Sequence, residues 1–160
     1  MPVWGAVLLL VLLIVVINAV PAALAVPYSA ALRSAVATLP AAPPPLAFAV
    51  VWPILYTMLA IAVFLLIAYP SPTVAPAMAW VACGLLVAQL GLNIAWTPVF
   101  AQGNRSAATI MIVVMLMLTI AALGLVATAQ PLAAALLGPY AAWLVFALIL
   151  SAQGAAVSTA

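Results

Sequence analysis

The chain consists of long apolar runs that are interrupted by proline and small polar residues. Each run is close to the ~20 residues that a helix needs to cross a hydrocarbon core of ~30 Å, and none alternates polar and apolar residues as a transmembrane strand does. The pattern predicts an all-α integral membrane protein, a bundle of five transmembrane helices in one domain over residues 1–160. The spans are expected at about 3–20, 46–69, 75–100, 107–129 and 131–152.

The longest interruption is the connector over residues 21–45, which contains polar residues and a run of prolines. Its apolar residues recur at spacings of three and four, namely Leu24, Tyr28, Leu32, Val36 and Leu39. This spacing is typical of a short helix that lies on the bundle or in the membrane interface. An irregular loop is the alternative.

Composition supports the membrane assignment and narrows the possible chemistry. Hydrophobic residues make up 72% of the chain and Asp, Glu, His and Lys are absent, so Arg33 and Arg105 are the only charged side chains. General acid–base catalysis, carboxylate nucleophiles and His- or carboxylate-based metal sites therefore lack the side chains they need. A proton-coupled exporter is disfavoured for the same reason, and neither a metal nor a cofactor is expected.

The two arginines also predict an orientation. In a five-span protein the connections that hold Arg33 and Arg105 share one face of the membrane. The positive-inside rule places that face in the cytoplasm, with the N-terminus outside and the C-terminus inside. The sequence does not identify the membrane.

The third span carries two stripes of different character. Its small residues recur at spacings of four, three and four, and they are Gly84, Ala88, Gly91 and Ala95. Roughly 140° around the helix lies a polar and aromatic stripe of Gln89, Asn93, Trp96 and Phe100. Two interpretations stay open: both stripes pack within the bundle, or the small stripe meets a second subunit while the polar–aromatic stripe lines a cavity.

Aromatic residues share helix faces on the second and fifth spans as well. They are Phe48, Trp52 and Tyr56 at spacings of four, and Tyr140 and Trp143, followed by Ala147, at spacings of three and four. We expect Trp52, Trp96 and Trp143 to form a shared pocket, since flat amphipathic rings suit a flat hydrophobic ligand with few polar groups.

Three motifs across residues 40–151 point to a known family. The first runs from Pro43-Pro44 through Phe48 to Val51-Trp52, Leu55-Tyr56 and Met58. The second is Gln89-x-x-Leu92-Asn93-x-Ala95-Trp96-x-Pro98-x-Phe100, and the third is Pro139-Tyr140-x-x-Trp143-x-x-Phe146-Ala147-x-x-Leu150. In order and separation they resemble the motifs of the translocator protein / tryptophan-rich sensory protein family (TspO/MBR, the peripheral benzodiazepine receptor family).

The resemblance implies a five-helix bundle, commonly a homodimer, whose ligand cavity is covered by the connector over residues 21–45 as a lid. Members bind porphyrins such as protoporphyrin IX, and animal members also bind cholesterol and benzodiazepine- or isoquinoline-type drugs. The ligand-binding residues implied here are Phe48, Trp52, Tyr56, Asn93, Trp96, Tyr140, Trp143 and Ala147. The implied dimer contacts are Gly84, Ala88, Gly91 and Ala95.

The function implied by the resemblance is that of a membrane binding or transport-associated protein for a porphyrin, a sterol or a similar flat hydrophobic ligand. The alternative is an enzyme that degrades porphyrin with light and oxygen. In that case Trp52 and Trp143 would be the redox-active partners, because the chain has no acid–base group.

Several positions depart from the family pattern. They are Ala41 and Leu46, where the family has tryptophan, Ile112, near a usually acidic position, and Ser151, where Asn is usual. The basic, aromatic C-terminal tail is replaced by residues 152–160, so the cholesterol-recognition pattern is missing. Arg33 is the only cation expected near the lid, and porphyrin propionates are expected to find a single charged partner there.

Overall fold

A computed structural model of the chain describes residues 1–39, 42–69 and 76–157, without the side chains of Pro45 and of residues 153–157. These ranges contain the helices α1 (Val3–Ala25), α2 (Ser29–Ala37), α3 (Pro45–Ala68), α4 (Pro76–Ala101), α5 (Arg105–Val126) and α6 (Pro131–Val157), with a 3₁₀ turn at Val26–Tyr28 and no strand. Five helical segments, which begin with α1, α3, α4, α5 and α6, are long and apolar enough to cross a membrane. The protein is therefore an all-α, multi-pass integral membrane protein, as predicted.

The proline and small polar residues that interrupt the apolar runs set most helix ends. Helices α3, α4 and α6 each begin with proline, whose missing N–H costs nothing in the first turn. Gly103 follows the end of α4 with a positive φ of 83°, a conformation that favours glycine. The Asn104 side chain then caps α5 by accepting a hydrogen bond from the N–H of Ala107 at 3.2 Å.

Proline did not mark the end of the first span. Helix α1 continues through Pro21 to Ala25, past the expected end at residue 20. An internal proline removes one intrahelical hydrogen bond, whereas ending the helix in lipid would expose several backbone groups with no water to bind them. Helix α6 also continues further than expected, past residue 152 to Val157. The other observed helix ends lie within three residues of the predicted ones. The predicted start at residue 75 lies outside the described residues.

The membrane helices form a ring that is closed unevenly. Helix α1 packs on α3, α3 on α6, α6 on α5 and α5 on α4. Helix α4 completes the ring through much smaller contacts with α1 and α3. The seam between α1 and α4 is consequently the loosest side of the bundle.

The half of the bundle away from the connector is densely packed. Four of its helices contribute side chains that are at most 1% exposed, namely Leu59, Leu86, Val126 and Leu137. Fully buried alanines lie between them, at Ala62, Ala82, Ala122 and Ala133, and such small residues let helices in lipid approach closely. Nearer the connector, aromatic side chains of α3, α4 and α6 line a cavity, and the bundle becomes hollow.

Helix α2 covers this hollow end, which confirms the helix predicted in the connector. Val36 and Leu39 pack with Phe100 beneath it, whereas Leu24 belongs to α1 and is 52% exposed. We call α2 together with Thr38 and Leu39 the lid. Residues 40 and 41, including the departure at Ala41, lie outside the described residues.

Arg105 fastens the lid to the turn between α4 and α5. Its Nη2 donates hydrogen bonds to the carbonyl of Ala35 and to Oγ1 of Thr38, both at 2.9 Å. The guanidinium also lies 4.4 Å from the ring centroid of Phe100, a cation–π distance. A cation at the C-terminal end of α2 complements the helix dipole, so one side chain closes the lid by several interactions at once.

We predict that Arg105→Met loosens the lid. The chain offers trypsin two cleavage sites, and one of them, Arg33, lies in α2. Loss of two hydrogen bonds to a charged group, each worth ~1.5–3 kcal/mol, should let α2 detach more often and speed release of the fragment that ends at Arg33 about tenfold or more. Gln102→Met in the same turn is the control, and an equal rate in both variants would contradict the fastening role.

Candidate ligand-binding site

Trp52 is the centre of an aromatic cluster at the hollow end of the bundle. Its ring centroid lies 5.3 Å from that of Tyr56, 6.2 Å from Trp143 and 6.5 Å from Tyr140. Phe48, one turn before Trp52 on α3, meets Trp143 edge to face at 5.9 Å. The predicted aromatic faces of α3 and α6 therefore lie against each other.

Helix α4 provides the opposite wall. Trp96 stacks on Phe100 with centroids 4.6 Å apart and planes inclined by 21°. Trp52, Trp96 and Trp143 line one cavity of about 40 Å³, which we call the inner cavity. Phe48, Asn93 and Ala147 line it as well, so six of the eight residues expected at the ligand site face the same space.

The other two, Tyr56 and Tyr140, belong to a buried polar network at the floor of this cavity. The Tyr56 hydroxyl donates to Oδ1 of Asn93 at 2.5 Å, and Nδ2 of Asn93 lies 3.4 Å from the Tyr140 hydroxyl. Nε2 of Gln89 donates to the same Tyr140 hydroxyl. All four side chains are buried, and together they connect α3, α4 and α6.

The polar–aromatic stripe thus does both things that the two interpretations expected of it: it packs within the bundle and it lines a cavity. Gln89 and Asn93 form hydrogen bonds between helices, and Asn93, Trp96 and Phe100 also line the cavity. Gln89 is fully buried in the floor. That any of these residues binds a ligand stays a prediction.

Sequence reasoning missed much of the cavity wall. The additional lining residues are Val36 and Leu39 of the lid, Ile112 and Met115 of α5, and Leu144, Leu150 and Ser151 of α6. Two of these positions depart from the family pattern: Ile112 is 2% exposed in the wall, and Ser151 is hydrogen-bonded to Thr109 at 2.6 Å. Leu46, the third departure, is 72% exposed.

Two larger spaces adjoin the inner cavity, and Phe48, Trp52 and Trp96 line all three. One, of about 430 Å³, lies under the lid and includes Arg33 in its lining. The other, of about 690 Å³, lies between α1 and α4; we call it the lateral groove. Sites for small molecules usually measure ~300–1,000 Å³, so a ligand of porphyrin size would need the inner cavity together with an adjoining space.

The charges near the site differ from the prediction in one respect. Arg33 lines the space under the lid, as expected, but Arg105 also lies at the lid, through its contacts with Ala35 and Thr38. The expectation of a single cation there was wrong, because the contact joins residues far apart in sequence. Both arginines lie on one side of the bundle, in agreement with the predicted topology.

Several buried donors around the cavity have no hydrogen-bond partner among the residues that the structure describes. They are the indole N–H groups of Trp96 and Trp143 and Nη1 of Arg105. An unpaired buried donor costs ~1–3 kcal/mol. The site therefore has donors available for a ligand that brings acceptor atoms.

The small stripe of α4 points away from the cavity. Gly84, Ala88, Gly91 and Ala95 are all exposed on the outer face of the bundle. A Cβ atom added at Gly84 or Gly91 would have no neighbour within 4 Å. The stripe therefore does not serve helix packing within one chain, and the homodimer stays a prediction.

Comparison with known proteins agrees with this geometry. No curated protein matches the chain, but the model of the TspO/MBR family matches residues 31–156. That match includes most of α2 and nearly all of α3 to α6, which carry the whole lining of the inner cavity. It supports a membrane-associated role related to porphyrins or sterols in general. The chain belongs to the TspO/MBR family.

Proposed function

We propose that the protein binds a flat hydrophobic ligand, a porphyrin of the protoporphyrin IX type, a sterol or a similar molecule, and acts as a binding or transport-associated protein of the membrane. The observation that carries the proposal is the convergence of Trp52, Trp96 and Trp143, from three helices, on one cavity beneath a lid. Aromatic walls of this kind suit a flat ring system. The proposed contacts are Phe48, Trp52, Tyr56, Asn93, Trp96, Tyr140, Trp143 and Ala147.

The charge distribution supports one orientation of a carboxylate-bearing ligand. Arg33 and Arg105, the only cations of the side chains, both lie at the lid end. A porphyrin would insert its apolar edge between the tryptophans and leave its propionates under the lid. There the propionates can accept charge-assisted hydrogen bonds. One available donor is Nη1 of Arg105, which has no partner among the described residues.

The unpaired indole donors favour a ligand with acceptor atoms. Trp96 and Trp143 each bury an N–H group that has no partner among the described residues. In this orientation a tetrapyrrole offers the indoles its ring nitrogens, whereas a sterol offers a single hydroxyl group. Satisfying both donors removes their desolvation cost, so we place porphyrins before sterols for the inner cavity.

The second candidate function is degradation of bound porphyrin with light and oxygen. The edge-to-face contact of Trp52 with Trp143, at 6.2 Å between centroids, favours it. Trp52 is also next to Tyr56 and Tyr140. Indole and phenol rings are side chains that an excited ligand could oxidise, and the chain has no carboxylate or imidazole side chain that could act instead.

We also propose that two copies associate through the small stripe of α4. The stripe is exposed, smooth and continuous along one helix face. In lipid, close packing rather than the hydrophobic effect drives helices together, and small residues allow it. A second copy of α4 would bury Gly84, Ala88, Gly91 and Ala95.

The porphyrin proposal predicts saturable binding in the micromolar range by protein in phosphatidylcholine nanodiscs, followed through the absorbance of protoporphyrin IX. Trp143→Phe keeps a ring but removes one indole donor, and we expect it to weaken binding about threefold to tenfold. Asn93→Ala should weaken it as well. Trp80→Phe, at a side chain that is 63% exposed, is the control. Equal affinity in all four proteins would refute the assigned site.

The degradation candidate predicts that illumination of the same complex in air bleaches the porphyrin faster than free porphyrin in empty nanodiscs. Trp52→Phe combined with Trp143→Phe should bring the rate per bound porphyrin down to that of empty nanodiscs, since the pair of indoles in mutual contact is gone. Trp80→Phe is again the control. Equal rates in the double variant and the wild type would reject this candidate and leave binding intact.

The dimer proposal predicts that Gly91→Leu converts a dimer to a monomer in mild detergent, as measured by light scattering after size-exclusion chromatography. The added side chain meets nothing within the chain but would separate two facing helices. Gly124→Leu is the matched control, since that glycine is exposed on α5 with equally open surroundings. A mass that is the same in wild type and Gly91→Leu would contradict this interface.

A further inference from the structure

The inner cavity and the space under the lid differ greatly in size. The inner cavity measures about 40 Å³, and the space under the lid measures about 430 Å³. One molecule of liquid water takes up ~30 Å³, so the inner cavity has room for little more than one small chemical group. A ligand that extends into both spaces therefore has its ring system in the larger one and a single substituent in the smaller one.

The inner cavity is closed on the side away from its neighbours. Its mouth is formed by the residues that also line the space under the lid, namely Val36, Leu39, Phe48, Trp52 and Trp96. Ile112, Met115 and Leu144 line the inner cavity but neither of the adjoining spaces. Each of these three side chains is at most 2% exposed, so α5 and α6 close the far end.

The wall of the inner cavity is apolar. The surface that faces the cavity is almost entirely carbon, and no charged residue is among the described residues that line it. Its polar side chains already bond within the protein, since Asn93 accepts from Tyr56 and Ser151 lies 2.6 Å from Oγ1 of Thr109. A polar group that entered would lose its partners in lipid or water, so the group that fits is apolar as well as small.

The proposed orientation of a porphyrin directs such a group to the mouth. With the propionates under the lid, where Arg33 is part of the lining, the opposite edge of the ring points toward Trp52 and Trp96. In protoporphyrin IX that edge carries methyl and vinyl groups. A vinyl group, with two carbon atoms, matches the room that the inner cavity offers.

We propose that the inner cavity is a specificity pocket for one small apolar substituent of the ligand, a vinyl or an ethyl group, while the ring lies at the mouth and under the lid. The proposal rests on the proposed porphyrin function and adds which porphyrins the protein prefers. Ile112, Met115 and Leu144 set the depth of the pocket. The preference comes from filling an empty space, because a substituent dissolved in lipid is already out of water.

The test compares mesoporphyrin IX with deuteroporphyrin IX, using the full chain in phosphatidylcholine nanodiscs. Both molecules have the same propionates, but hydrogen atoms in the second replace the two ethyl groups of the first. After correction for partition into empty nanodiscs, we expect mesoporphyrin to bind about threefold to tenfold more tightly. Equal corrected affinities would overturn the specificity pocket and leave porphyrin binding intact, whereas the absence of saturable binding of either would overturn both.

A matched pair of variants locates the preference. Ile112→Phe extends the wall into the cavity and should lower the affinity for mesoporphyrin to that for deuteroporphyrin. Ile110→Phe makes the same change on the same helix at a side chain that is 63% exposed, and it should keep the preference. A misfolded variant would lose both porphyrins alike, whereas a filled pocket affects mesoporphyrin. A preference that survives Ile112→Phe would overturn the assignment.

Xenon provides a measurement that needs no variant, since dry apolar cavities bind it. In protein with isotope-labelled methionine methyl groups, NMR under xenon pressure should shift the Met115 resonance saturably in the ligand-free state and in the deuteroporphyrin complex. The shift should be lost in the mesoporphyrin complex, because an ethyl group then fills the space. Met117, on the same helix and 63% exposed, should respond equally in all states. An equal response of Met115 in both complexes would overturn the proposal.

Discussion

The constraint on which this structure depends is that a polar side chain in hydrocarbon must find its partner within the protein. The floor network of Tyr56, Asn93, Tyr140 and Gln89 meets it in large part by joining three helices, with only Oε1 of Gln89 in this network left without a partner among the described residues. Each pocket tryptophan lies one helical turn nearer the lid than a member of this network: Trp52 before Tyr56, Trp96 after Asn93, and Trp143 after Tyr140. The pairing that satisfies the floor therefore also fixes the helix rotations that direct the three indoles into one space.

Floor and lid are held by different kinds of interaction. The floor is neutral and buried among three membrane helices, whereas the lid depends on one guanidinium that bonds Ala35 and Thr38 and lies on Phe100. Phe100 in turn stacks on Trp96 in the cavity wall. Opening of the lid therefore breaks the contacts of Arg105 but leaves the floor intact, and any shift of Trp96 acts on the surface that carries Arg105.

Sequence pattern was sufficient for the bundle and for the aromatic faces, because apolar run length and helical spacing are local properties. It was insufficient wherever a contact joins distant segments. The pattern places Arg105 in a connection between two spans, but it does not show that this side chain fastens the lid. Ile112 and Met115 could not be recognised as lining because α5 is apolar on every side. Pro21 suggested a helix end that lipid does not permit, and the lateral groove exists only because α4 meets α1 so loosely. The role of the aromatic residues toward a ligand stays a prediction.

The composition of the cavity wall has a consequence for how this protein responds to its surroundings. Carboxylates and imidazoles are the side chains that change charge between about pH 4 and pH 8, and the chain has none. The side chains that line the cavity therefore keep the same charge across the range of pH found in cells. If the proposed ligand site holds, a change of its affinity with pH reports the ionisation of the ligand rather than that of the cavity wall.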